Sequence, residues 1–163
     1  MATTVIDLSS LDGSNGFLVE GESLRGLPGF SVSNAGDING DGFDDVIIGS
    51  PHFPSVPEDE YIPGSSYIVF GKASGFSATL DLSSLDGSNG LHLDGSVTND
   101  DSGRSVSSAG DVNGDGFDDV IVGAPGINSG YVVFGRGSGF SATLELSSLN
   151  GNNGFRLDEA QAY

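Results

Sequence analysis

Apolar residues in this chain arrive in short, dense runs. Val46-Ile47-Ile48 and Tyr67-Ile68-Val69-Phe70 are continuous stretches of β-branched and aromatic side chains, and Val120-Ile121-Val122 and Tyr131-Val132-Val133-Phe134 repeat them further on. Runs of this length predict strands apolar on both faces, as in sheets packed between neighbouring sheets. Ahead of each pair, Phe30-Ser31-Val32-Ser33 and Arg104-Ser105-Val106-Ser107 alternate with period two, which predicts a half-buried strand. After each pair, F-S-A-T-L-D-L-S-S-L or its near copy has weaker strand character. It leads through a Gly/Asn/Ser turn into Leu91-His92-Leu93-Asp94 or Phe155-Arg156-Leu157-Asp158. No segment keeps a 3.6-residue period, so the expectation is all-β with essentially no helix.

The same order of elements occurs twice. D-L-S-S-L-D-G-S-N-G begins at Asp7 and again at Asp81, and E-L-S-S-L-N-G-N-N-G begins at Glu145. The strand ending F-G at Gly71 recurs ending at Gly135, 64 residues later, whereas the other landmarks of the first repeat recur after 74. The difference places a ten-residue insertion after Pro51, at 52–61, rich in proline and carrying Glu58-Asp59-Glu60. It reads as a surface loop, with partner binding as the sharper alternative. A repeat of about 64 residues with several strands per unit points to a propeller or array. The expected units are 23–95 and 96–163, preceded by a spare inter-blade segment at 1–22.

Between the first and second strands of each unit lies an acidic loop. Residues 37–45 read D-I-N-G-D-G-F-D-D, and residues 111–119 read D-V-N-G-D-G-F-D-D. Oxygen side chains occupy positions 1, 3, 5 and 9: Asp37, Asn39, Asp41 and Asp45, then Asp111, Asn113, Asp115 and Asp119. Ca²⁺ takes six to eight oxygens, and alternate positions on a tightly curled loop deliver them to one point. Glycine at positions 4 and 6 permits the curl. Phe43 and Phe117, at position 7, are expected to give a backbone carbonyl and bury their rings. Asp44 and Asp118, at position 8, are expected to point into solvent. A metal-free Asn/Gly turn would account for N-G-D-G but not for three carboxylates converging twice. An EF-hand fails, because position 12 is Ile48 or Val122 rather than Glu. Two Ca²⁺ sites per chain are expected.

Composition narrows the function. The 163 residues carry 23 acidic and 5 basic side chains, a net charge of −18, which repels nucleic-acid phosphates and anionic membranes. No run approaches the roughly 20 apolar residues of a membrane span, and the start shows no signal peptide. Cysteine is absent, which removes disulfides and thiol chemistry. His52 and His92 lie far apart and read as incidental, and no nucleophile elbow occurs. Enzymatic activity is not expected. Arg104 opens its strand where Phe30 stands in the first repeat, and a rim salt bridge is expected for it.

The chain resembles FG-GAP repeats, the blade units of the integrin alpha-chain β-propeller, in the form found in bacterial surface and secreted proteins. The matching residues are Gly-x-Ser-Val-Ser from Gly29 and Gly103, the D-[IV]-N-G-D-G-F-D-D loops, Gly49-Ser50-Pro51 and Gly123-Ala124-Pro125, and the strands ending Phe-Gly. The aromatic that precedes the first motif's glycine is replaced by Pro28 and Ser102. The resemblance implies four-stranded antiparallel blades, calcium loops on one rim and ligands at the other, and a ring of about seven blades. Two blades per chain then imply a homo-oligomer, three or four chains giving six or eight blades. It also implies a secreted or cell-surface module for adhesion or protein–protein binding, with Ca²⁺ structural. The alternatives are a glycan-binding accessory domain and a self-assembling propeller fragment, natural or designed, without a ligand.

Overall fold

A computed structural model describes residues 7–21, 27–52 and 62–159. Its strands are β1 (Leu18–Glu20), β2 (Ser31–Gly36), β3 (Asp45–Ser50), β4 (Ser65–Val69), β5 (Thr79–Asp81), β6 (Gly90–Asp94), β7 (Ser105–Gly110), β8 (Asp119–Ala124), β9 (Ser129–Val133), β10 (Thr143–Glu145) and β11 (Gly154–Asp158). The alternating stretches form β2 and β7, and the dense apolar runs form β3, β4, β8 and β9. Within each repeat four strands pair antiparallel in the orders β2-β3-β4-β6 and β7-β8-β9-β11. The helical content among the described residues is four three-residue 3₁₀ turns.

Register explains the continuous apolar runs. Val32, Ile48, Tyr67 and His92 line up across the first sheet, as Val106, Val122, Tyr131 and Arg156 do across the second. Neighbouring residues point to opposite faces, so Ile47 and Ile48 serve different cores. Ile47, Ile68, Leu91 and Leu93 meet Val120, Val122, Tyr131 and Val133 of the second sheet in one buried cluster. Ile48, Tyr67 and Val69 pack on the other face of the first sheet with Leu82, Leu85, Val19 and Leu80. The first sheet thus packs on both sides, although Val32 and Val46 of its outer face stay exposed, and fully burying each large aliphatic chain contributes about 1.5–3 kcal/mol.

Two features go beyond the expected four-stranded pattern. The weak stretch at 79–85 is only three residues of strand, because Asp81 ends it by accepting a hydrogen bond from the Ser83 N–H and starting a 3₁₀ turn, Leu82–Ser84. Leu82 and its counterpart Leu146 are buried by these turns. The short strand also pairs parallel with the outer strand of the preceding unit: β10 adds a fifth strand to the first sheet beside β6, and β5 pairs with β1 in the same way. By repeat equivalence β1 stands where the outer strand of a preceding sheet would stand. Of the proposed insertion, residues 53–61 lie outside the described residues. The corresponding turn of the second repeat is Pro125–Ile127, closed by Asn128 in the left-handed region at φ 52°.

Candidate metal loops

Residues 37–44 join β2 to β3, and residues 111–118 join β7 to β8. A register shift between Asn34 and Gly36, matched between Ser108 and Gly110, tips each strand into its loop. Gly40 and Gly42 turn it with φ of 73° and 90°, as Gly114 and Gly116 do at 79° and 92°.

The candidate ligands fold inward onto the loop. Asp37 accepts N–H bonds from Asp41 at 3.0 Å and Gly42 at 2.9 Å, and the Asn39 Oδ1 also accepts from Asp41 N–H, at 2.9 Å. Asn39 Nδ2 donates to Asp41 Oδ2 at 3.0 Å. Asp111, Asn113 and Asp115 repeat the arrangement: Asp111 accepts from Asp115 at 3.1 Å and Gly116 at 3.0 Å, and Asn113 Nδ2 donates to Asp115 at 2.9 Å. Positions 1, 3 and 5 are therefore brought together in both repeats.

Position 9 is held differently. Asp45 and Asp119 begin β3 and β8 and are 1% and 0% exposed. Asp45 accepts from Ile38 N–H at 3.0 Å and Gly71 N–H at 2.8 Å, and Asp119 accepts from Val112 and Gly135, each at 2.9 Å. Burial pushes the Asp45 carboxyl up to about 6. Its two N–H bonds oppose the rise, and the charges of Asp41 and Asp37 add to it. Asp119 is raised by the same causes, burial first. Among the described residues, no three Asp, Glu or His side chains already close on one point as they do around a bound ion. The donor set nevertheless fits a hard cation: each loop offers oxygens of three carboxylates and an amide within nine residues, positions 1, 3 and 5 gathered by its own hydrogen bonds.

Positions 7 and 8 depart from expectation. The Phe43 ring is 42% exposed instead of buried. Phe117 is half-buried, its ring lying against the backbone of Gly40 and Gly137. Asp118 does not point into solvent. Its Oδ2 accepts the Asp37 N–H at 2.9 Å, and its own N–H donates to the Asp37 carbonyl at 3.3 Å. The second loop therefore docks on the first. Asp44 is exposed, as expected.

The opposite rim holds a residue that the sequence did not single out. Asp100 is fully buried, and its carboxylate accepts N–H bonds from Gly64 and Ser102 on one oxygen and Ser96 on the other. Asn99 and Asp101 flank it with positive φ, so N-D-D-S was legible as a turn but not as a clamp. Arg104 makes its rim salt bridge with Asp101 at 3.3 Å. His92 stacks on Tyr67 with centroids 4.6 Å apart, and His52 is buried.

The FG-GAP repeat profile matches residues 28–69 and 102–136, the first three strands of each sheet with their acidic loops. Human integrin alpha-7 is 32% identical over 134 residues, which is 81% of this chain and 10% of that protein. Integrin alpha-PS5 of Drosophila melanogaster is 32% identical over 109 residues, 64% of this chain and 9% of its own length. Integrin alpha-6 of Gallus gallus is 30% identical over 128 residues, 76% of this chain and 10% of its own. The chain thus spans about a tenth of the length of the relatives it matches. The two sheets are blades of the β-propeller class. The chain carries two FG-GAP repeats.

Proposed function

We propose that the chain is a calcium-stabilised propeller module serving extracellular adhesion or protein–protein binding, without catalysis of its own. Each loop takes one Ca²⁺: Asp37, Asn39, Asp41, the Phe43 carbonyl and Asp45 in the first, and Asp111, Asn113, Asp115, the Phe117 carbonyl and Asp119 in the second. The observation that carries this reading is the repetition. Both loops gather positions 1, 3 and 5 by the same hydrogen bonds, and both end on a buried carboxylate whose charge is disfavoured until a cation neutralises it. Bound calcium would fix the loop and stabilise the blade by mass action.

A protein ligand would meet the rim away from the loops, where the β3–β4 and β6–β7 connections lie. The likeness to integrin α chains supports a secreted or cell-surface setting. The charge of −18 disfavours nucleic acid and anionic membranes. Further blades of the same kind cover the two outer sheet faces, and copies of this chain, three or four to a ring, supply them. Val46 supports this: it is 40% exposed, while its repeat equivalent Val120 is 0% exposed because the first blade covers it.

Melting the protein in calcium and in excess chelator tests the central claim. The expected result is a higher melting temperature with calcium, and identical curves would refute it. Sedimentation of the calcium-loaded chain tests the ring, since a folded, purely monomeric species would remove that part of the reading.

A further inference from the structure

The two loops touch, and the contact runs through Asp118, which the calcium reading leaves idle. Asp118 sits at position 8 of the second loop, between Phe117, whose carbonyl is assigned to the second ion, and Asp119. Its carboxylate holds the N–H of Asp37, the first-position residue of the other loop, at 2.9 Å. The Asp118 N–H returns to the Asp37 carbonyl, and the Arg136 N–H donates to the Ile38 carbonyl at 2.9 Å. Phe117 closes the junction. Its ring lies so close to Gly40 that a Cβ there would stand 2.3 Å from it.

From this junction we infer that the two calcium loops are thermodynamically coupled, filling of the second strengthening binding at the first. The inference rests on the calcium reading above. An ion in the second loop fixes the backbone at positions 7 and 9. The intervening Asp118 is then fixed as well, and with it the Asp37 N–H, so the first loop loses less freedom when its own ion arrives. Linkage makes the effect reciprocal. The junction has a direction set by the repeat. Gly110 and Gly114, the equivalents of Gly36 and Gly40, have nothing within 4 Å of where a Cβ would stand, and Asp44, the equivalent of Asp118, is exposed. Within the described residues, the junction therefore joins the Asp118 side of the second loop to the Asp37 side of the first and has no second copy.

The test is calorimetric calcium titration of the full chain and of Asp115→Ala, Asp118→Ala, Asp44→Ala and the Asp115→Ala/Asp118→Ala double variant, with the Asp37 amide followed by NMR. In the wild type two ions are expected to bind with positive cooperativity. Disabling the second loop with Asp115→Ala is expected to weaken the first by about tenfold. Asp118→Ala should weaken the first loop comparably and leave only the second loop's intrinsic affinity unchanged, the double variant should show no further loss, and Asp44→Ala should resemble wild type. If Asp115→Ala does not fold, the Asp37 amide carries the decision: in Asp118→Ala it should no longer shift as the second loop fills. Two ions binding independently in the wild type, or full first-loop affinity in Asp115→Ala or Asp118→Ala, would overturn the coupling and leave the calcium reading intact. Absence of any calcium binding overturns both.

Discussion

Leu93 and Leu157 hold the same place in consecutive outer strands, yet Leu93 is 0% exposed and Leu157 48% exposed. The difference lies in what covers them, because Leu93 faces the second blade. Leu93→Ala should cost about 2–5 kcal/mol, the usual range for a buried leucine. Leu157→Asp should leave the melting temperature of a dilute monomer nearly unchanged and abolish any higher-mass species. Chemical denaturation and sedimentation of the two variants check both halves.

Asp100 should be among the most sensitive polar positions. Asp100→Ala strands the buried N–H groups of Gly64 and Ser102, each worth about 1–3 kcal/mol when left without an acceptor, and the half-buried N–H of Ser96. A loss of at least about 3 kcal/mol in urea unfolding is expected. Asp100→Asn should recover part of it, since one amide oxygen can still accept.

Gly40 and Gly114 separate backbone strain from contact. Both have positive φ, 73° and 79°, so alanine costs roughly 1–2 kcal/mol at either. Only at Gly40 would the new Cβ strike the Phe117 ring. Gly40→Ala should therefore be the more destabilising, by thermal melts without calcium. Truncating the ring with Phe117→Leu should narrow the gap.

Calcium removal has a predictable size. If free calcium stands at about 100 times the dissociation constant of one site, chelation should remove about 2.7 kcal/mol for that site. Asp41→Asn or Asp115→Asn should each shrink the calcium-dependent part of the melting temperature and leave the chelated value nearly unaltered.

Much of this was legible in the residues. The apolar runs of β3, β4, β8 and β9 forecast two-sided burial, and D-x-N-G-D-G marked the loops because alternate oxygens and glycines leave a local signature. The contacts between repeats left none. Asp44 and Asp118 have identical neighbours in sequence, and only the presence of another loop beside Asp118 turns it inward. Phe43 and Phe117 part company for the same reason. The parallel strand β10 was obscured because T-L-E is too short to show a period and its partner lies in the other repeat. Asp100 has Gly26 as its counterpart by repeat spacing, so the repeat offered no second copy by which to recognise it.

The path of β10 has a mechanical consequence. After building three strands of the second blade, the chain crosses to the edge of the first, pairs with β6, and returns to finish its own blade as β11. The blades are stitched rather than stacked. A tensile load that parts them must shear the β6–β10 pair along its length, and no cut between the repeats releases the first blade with its outer seam closed. The pair should therefore yield in a single step under force, with the load shared across the junction instead of concentrated at one linker.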